Sequence, residues 1–321
     1  MKPFEYVTAS TPASAADLVA DGGKYLGGGI DLLGEMKEYL AEPKRLVNIK
    51  ALPGTHEIKE DEHAWNLGAN VAVAQIAAHA GIQKKFPGLA TAAGEVGSPQ
   101  IRNVATLGGN LAQHSRCWYY RHCDVHCLKK GGDVCFALDG ENKIHSLFTG
   151  CTCVSPVVSN LATILQALEA KVSVLRAGKQ VQLTIPELYH GAWVDDTRHN
   201  SLGPGDLILG VEIPVAQDLR CAYLQMSEKH EFDWALVSCA AAGLVKSGKL
   251  HRPRLVLGVV APIPYAVQEA DQFLEGKSID DSTAAAAADI LLKNASPLEH
   301  NGYKIPLARA LIRRTLLKLV S

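Results

Sequence analysis

Six of the eight cysteines stand between positions 117 and 153, at Cys117, Cys123, Cys127, Cys135, Cys151 and Cys153, with His114, His122, His126 and His145 close by. Three chemistries use thiols at such density: disulfides, a zinc site and an iron–sulfur cluster. Disulfides need an oxidising compartment, and the opening MKPFEYVTASTPASAADL has neither the apolar core of a secretory signal nor the arginines of a transit peptide. Structural zinc favours CxxC pairs; none occurs here, although the four histidines offer further ligands. A cluster needs four thiolates on a segment that wraps it, with amides around the sulfurs, and Gly131, Gly132 and Gly140 give the backbone that freedom. On residue types alone, zinc and iron–sulfur both stay open. Cys221 and Cys239 lie among apolar residues and read as core thiols.

Two other segments are built for polar ligands. Leu26-Gly27-Gly28-Gly29-Ile30-Asp31 runs from a predicted strand into a predicted helix. Glycines there admit a phosphate close to the backbone, beside unpaired amides. The GxGxxG spacing of dinucleotide-binding turns is absent, and a plain turn is the competing reading. The second segment, Gly97-Ser98-Pro99-Gln100-Ile101-Arg102-Asn103-Val104-Ala105-Thr106-Leu107-Gly108-Gly109-Asn110, is too polar for a core element. Thr106, Asn110 and the Gly108-Gly109 backbone suit the lining of a polar site; the competing reading is an irregular surface loop capped by Asn and Thr.

The elements that must position these residues alternate from the start. Phe4–Val7, Lys24–Leu26 and Arg45–Ile49 read as strands. Thr11-Pro12 caps a helix over Ala13–Ala20, and Ile30–Leu40 has helical spacing. Beyond His56 come a strand at Ala64–Gly68, helices at Ala72–His79 and Phe86–Glu95, a hairpin of Lys171–Leu175 and Gln180–Thr184, and a strand at Leu207–Ile213. A boundary near Pro214–Leu219 precedes strands at Ala222–Met226, Trp234–Lys246 and Arg254–Ala261, then helices at Val267–Leu274, Ser282–Asn294 and Ile305–Leu319. This predicts an α+β chain with a larger unit over 1–215 (parts 1–55 and 56–215, the cysteine segment inserted at about 114–155) and a smaller α+β unit over 216–321.

The 321 residues are 47% apolar and 20% charged, and 32 basic against 33 acidic residues leave a net charge of −1. That balance gives no electrostatic reason for a nucleic-acid or anionic-membrane partner. The uncharged stretch 144–168 holds Pro156 and many polar residues, so no membrane span is expected. The expected address is the cytoplasm, or export as a passenger of a signal-bearing partner.

Together, LGGGIDLL at 26–33 and GSPQIRNVATLGGN at 97–110 resemble the paired FAD-binding signatures of the medium subunit of molybdenum hydroxylases, the family of xanthine dehydrogenase, aldehyde oxidoreductase, carbon monoxide dehydrogenase and 4-hydroxybenzoyl-CoA reductase. The likeness spans the chain and includes Asn301-Gly302-Tyr303-Lys304-Ile305. It implies a vanillyl-alcohol-oxidase-like FAD domain of two subdomains, followed by a small domain of antiparallel sheet and helices. It implies that Leu26, Gly27, Gly28, Gly29, Ile30 and Asp31 hold the FAD pyrophosphate turn. Gly97, Ser98, Gln100, Thr106, Gly108, Gly109, Asn110 and Gln113 would line pyrophosphate and flavin, Ser159 and Asn160 the adenosine half, and Lys229 the flavin. Ile30 stands where the family has Thr or Ser, and Asn160 where it has Asp.

The same resemblance implies a 4Fe–4S cluster, carried by one branch of the family in an insertion at this point. The pattern C-W-Y-Y, then C-L-K-K-G-G-D-x-C, picks Cys117, Cys127 and Cys135, and the spacing to Ser159 picks Cys153, with Cys151 and Cys123 as competitors. No catalytic side chain is implied, because substrate would react at a molybdenum cofactor on a large partner subunit. Electrons would pass through 2Fe–2S centres on a small subunit to this chain and on to an external acceptor, in a heterotrimer or its dimer. The alternative is a flavin-free or zinc-stabilised scaffold subunit of such a complex.

Overall fold

The computed structural model describes residues 1–229 and 232–321. Strands β1 (Glu5–Thr8), β2 (Gly23–Leu26) and β3 (Arg45–Asn48) form a parallel sheet in the order β1-β3-β2. The helix Pro12–Val19 packs on it, its first turn closed by a Thr11–Ser14 capping box with proline at the first helical position. A small core of Ala9, Ala15, Val19, Val47, Ile49 and Leu52 holds this unit together.

Strands β4 (Ile58–Glu60), β5 (Ala64–Gly68), β6 (Lys171–Arg176), β7 (Lys179–Thr184) and β8 (Leu207–Pro214) form an antiparallel sheet ordered β4-β5-β8-β6-β7. The β6–β7 hairpin turns through Ala177 and Gly178, both at positive φ (48° and 75°), the geometry a two-residue turn requires. Strands β9 (Leu219–Ser227), β10 (Ala235–Lys246) and β11 (Lys249–Gly258) form the last sheet, antiparallel in the order β11-β10-β9.

That last sheet is covered on both faces, which is why β10 reads as a continuous apolar run instead of alternating. Ala240, Ala242, Cys221 and Tyr223 face the helices Pro87–Gly94 and Asn160–Ala167 and join their core, while Val237, Cys239 and Ala241 face the final helix Lys304–Val320. One apolar core therefore crosses the chain between β8 and β9.

The Asn301–Lys304 segment reads the backbone of residues 143–146. Asn301 is fully buried; its amide donates to His145 O (3.2 Å) and Ser146 O (3.0 Å), and Tyr303 Oη donates to Lys143 O. Lys304 Nζ donates to Ile144 O (2.8 Å) and Val259 O (2.9 Å), and burial pushes its pKa down to about 7. Among the described residues no helix is long and apolar enough to cross a membrane.

The elements differ from the sequence reading in two instructive places. The helix expected over Ile30–Leu40 covers only Leu32–Lys37: Ile30 and Asp31 complete the glycine turn, and the chain leaves the helix at Glu38 and Tyr39, the latter at φ 56°. The polar run 97–110 is not a loop but two short helices, Pro99–Val104 and Leu107–Ala112, capped by Ser98 and Thr106.

Candidate functional site

A cavity of about 430 Å³ opens where the parallel sheet, the five-stranded sheet and the start of β10 converge, a size typical of cofactor sites. Its first wall is the turn that leaves β2. Gly29 adopts φ 74°, and a Cβ on Gly28 would lie 2.2 Å from Val104 O. Only glycine lets this turn press on the backbone that joins the two short helices. Among the described residues, the amides of Gly28, Gly29 and Ile30 donate to no protein acceptor. Successive unspent amides of this kind form an anion-binding concavity.

The second wall is the cap of the helix Leu107–Ala112. Thr106 Oγ1 accepts from Gly109 N (3.1 Å), Gly108 packs against Ala69, and Leu107 N and Gly108 N are anchored on Val71 O and Ala69 O. Behind it, Ser159 Oγ donates to the buried Asn110 Oδ1 at 2.6 Å, and Asn160 Nδ2 donates to Gln225 Oε1 at 2.9 Å. Gly97, at φ 47°, is held by Arg102, whose guanidinium donates to Gly97 O and Val96 O.

Of the residues singled out in the sequence, Gly27, Gly28, Gly29, Ile30, Asp31, Gly97, Thr106, Gly108, Gly109, Asn110, Gln113 and Asn160 line this cavity. Leu26, Ser98, Gln100, Ser159 and Lys229 do not. Leu26 ends β2 and its carbonyl accepts from Ile49 N; Ser98 is spent capping a helix; Gln100 is exposed on that helix. Ser159 stands behind Asn110 and caps the helix Asn160–Ala167, and Lys229 is exposed, its amide donating to Asp233 Oδ2. The lining also includes Asn70, Glu95, Arg116, Asp206 and Trp234, which no local pattern marks. They arrive from separate strands and loops and become neighbours only on folding.

Next to this cavity, Cys117, Cys127, Cys135 and Cys153 line one tight pocket with Tyr119, Lys129 and His145. Amides of Tyr119 and Tyr120 point at the Cys117 sulfur, those of Ala137, Leu138 and Val154 at Cys135, and that of Ser155 at Cys153. His145 Nε2 lies 3.1 Å from Cys117 Sγ. Burial pushes the Cys117 thiol up to about 11. Cys135 and Cys153 share a hydrogen bond, which draws Cys135 down to about 6 and drives Cys153 upward, helped by burial. Buried thiols crowded in this way favour a bound cation that lets them ionise together. Cys151, two positions from Cys153, instead points its sulfur at Ala192 O (3.7 Å), and Cys123 is exposed beside Asp124. Gly132 lets the segment turn back on itself, since a Cβ there would lie 2.2 Å from His126 O.

Residues 2–216 match the sequence family described as the FAD binding domain in molybdopterin dehydrogenase, and residues 222–319 the CO dehydrogenase flavoprotein C-terminal domain. The chain is 31% identical to the FAD-binding subunit of an Escherichia coli aldehyde oxidoreductase, covering 98% of both chains. It is 25% identical to the carbon monoxide dehydrogenase medium chain of Hydrogenophaga pseudoflava, covering 98% of this chain and 96% of that one. Quinoline 2-oxidoreductase from Pseudomonas putida shares the fold with a TM-score of 0.77 at 22% identity, over 100% of this chain and 98% of its own. Reconstituted CO dehydrogenase from Oligotropha carboxidovorans does so at 0.78 and 20% identity, over 99% and 98%.

Proposed function

Since the chain belongs to the family of FAD-binding subunits of molybdenum hydroxylases, we propose that it is the electron-transferring flavoprotein subunit of such a complex. The observation that carries the flavin part is the set of unspent amides at Gly28, Gly29 and Ile30, facing the cavity across from the Thr106 cap. In this reading those amides hold the pyrophosphate, and Asn110, fixed by Ser159, presents its amide to the cofactor. Ile30 offers no hydroxyl, so the turn relies on backbone donors alone.

The four cavity-lining thiols support a 4Fe–4S cluster on Cys117, Cys127, Cys135 and Cys153. The donor set is all sulfur, and backbone amides surround three of the four, as a cluster's stabilisation requires. Four thiolates also suit structural zinc, but without CxxC spacing the segment lacks the usual zinc grip. Bound FAD and cluster would supply the redox chemistry of this chain, which itself needs no acid, base or nucleophile. What the chain's residues do is bind, space and tune: His145 and the ring of amides favour the ionised sulfurs, and Tyr119 and Lys129 wall off water.

The partners in this reading are a molybdenum-cofactor large subunit and a 2Fe–2S small subunit, with electrons passing to or from an external acceptor. The FAD-binding part would comprise residues 1–215 and the second part residues 216–321. The test is purification with the neighbouring gene products, then flavin release on denaturation, metal analysis and EPR of the reduced protein. About one FAD and a fast-relaxing cluster signal per chain are expected. Zinc in place of iron would refute the cluster, and full metal loading with no released flavin would point to the scaffold alternative.

A further inference from the structure

The flavin turn and the cysteine segment are joined by two acidic side chains, Glu35 and Asp31, at the cavity wall. Glu35 sits on the helix Leu32–Lys37, directly after the glycine turn, and is only 4% exposed. Its Oε1 accepts from Tyr120 Oη (2.9 Å) and lies 2.9 Å from His114 Nδ1, with Arg121 at 3.6 Å. Burial raises its pKa, but His114, Arg121 and Tyr120 outweigh that and hold the carboxylate below its ordinary range. Asp31, which closes the turn itself, pairs with Arg116 and Arg121 at 2.8 Å each and accepts from His114 N at 2.7 Å.

Among the described residues, every partner of the two carboxylates comes from residues 114–121, so the contacts straddle Cys117. Arg121 in turn grips that stretch, donating to Ser115 O (2.6 Å) and His114 O (3.2 Å). Asp31, Glu35 and His114 could together hold a cation by their donor atoms. The two guanidiniums already on Asp31 fill that role, so no metal is assigned there.

The cysteine segment has little regular structure of its own: a helix of four residues, Trp118–Arg121, and a single 3-10 turn, Leu128–Lys130. Its order therefore depends on what ties it down: Asn301–Lys304 and Asp196 hold its later part, and the thiol pocket and the two carboxylates flank residues 114–121. Releasing the thiol side would loosen residues 114–121 and draw donors away from Glu35. A buried carboxylate without partners is costly, so its helix must shift, and the glycine turn shifts with it.

We propose, on the strength of the reading above, that Glu35, seconded by Asp31, is a positioning residue that makes FAD binding and loading of the cysteine site one cooperative event. Coupling of this kind is reciprocal: the filled thiol pocket tightens flavin binding, and bound flavin protects the metal by the same factor.

The test is a double-mutant cycle on the full chain, using Cys135→Ser, Glu35→Gln and the pair; Cys135 is distant in sequence from every group around Glu35. FAD is titrated into deflavinated protein and followed by flavin fluorescence, and iron retention under chelator is followed with and without FAD. Each single variant is expected to weaken FAD binding about tenfold, within the usual span of such couplings, and the pair no more than either alone. FAD is expected to slow iron loss in the wild type but not in Glu35→Gln, and the EPR line shape of the cluster is expected to change on FAD addition only when Glu35 is present. Should Glu35→Gln fail to fold, Tyr120→Phe removes one Glu35 donor while keeping the ring, and the same non-additivity is expected at smaller size. Wild-type affinity for FAD in Cys135→Ser, or strictly additive losses, overturns the coupling while leaving the cofactor assignment intact. A wild-type chain that binds no FAD or holds no iron overturns both.

Discussion

Cys151 and Cys153 are separated by one residue, yet one sulfur meets the carbonyl of Ala192 and the other the thiol pocket. The reason lies in the backbone hydrogen bonds around Cys153: Cys153 N donates to Asp196 Oδ1 and Ser146 N donates to Val154 O, which aims the Cys153 side chain inward. With the proposed cluster in place, Cys153→Ser is expected to lose most of the iron per chain and its EPR signal, whereas Cys151→Ser keeps both. Retention of a full signal by Cys153→Ser would move the fourth ligand elsewhere. The residue types and their crowding were visible in the sequence. The family resemblance picked Cys117, Cys127, Cys135 and Cys153, the four that line one pocket, but residue types left Cys151 and Cys123 in competition, because the choice depends on hydrogen bonds to residues as distant as Asp196.

At the scale of elements, the glycine turn works only because its neighbour is backbone. Gly28→Ala places a methyl carbon on Val104 O, and overpacking of this kind costs about 1–3 kcal/mol. We expect more than tenfold loss of FAD affinity by fluorescence titration. Gly34→Ala, in the helix that follows, meets nothing within 4 Å and is expected to leave binding unchanged and stabilise by about 0.5–1 kcal/mol. A second prediction concerns the packing of the helix Gln268–Leu274 on β11. Burial pushes Asp271 up to about 6, against the Leu255 amide and Arg254, which pull it down. A raised carboxyl favours the fold below its unfolded value near 4 and loses that contribution as pH rises through about 6. Asp271→Asn should thus match the wild type at pH 4 and exceed it at pH 8. The gain, discounted for partial exposure, is about 1–2 kcal/mol by denaturant unfolding. Strands with clear turn signals, such as β5 and the β6–β7 hairpin, were legible from sequence. The helix Asn160–Ala167 was not, because it lies inside the uncharged run 144–168, where nearly every residue is buried and no charged residue marks its solvent side. The helices at 99–104 and 107–112 are too short to show one, although their Ser98 and Thr106 caps were in plain view.

Across the whole molecule, the Asn301–Lys304 segment fastens the C-terminal sheet and helices to the strip that carries His145, and hence to Cys117. Asn301→Ala removes three hydrogen bonds from a buried site and leaves two carbonyls and the Leu298 amide to find new partners. A loss of about 2–4 kcal/mol in denaturant unfolding is expected, with a fall in iron content if the strip slackens. Unchanged stability would mean that water replaces the amide without cost. By itself the sequence pointed to the kind of chemistry: glycine-rich turns suited to a phosphate-bearing cofactor, crowded thiols suited to a soft metal, and uncharged runs that must become core. These follow from residue type and local spacing, which need no knowledge of what lies across the fold. Only the tertiary structure decided which thiols face one another, that Lys229 and Ser159 stand off the cavity, and that Glu35 and Asp31 tie the flavin turn to the cysteine segment. The ties from Glu35 and Asp31 join residues about eighty or more positions apart. No periodicity records them, because their partners are chosen by packing and by the cost of leaving a buried charge alone.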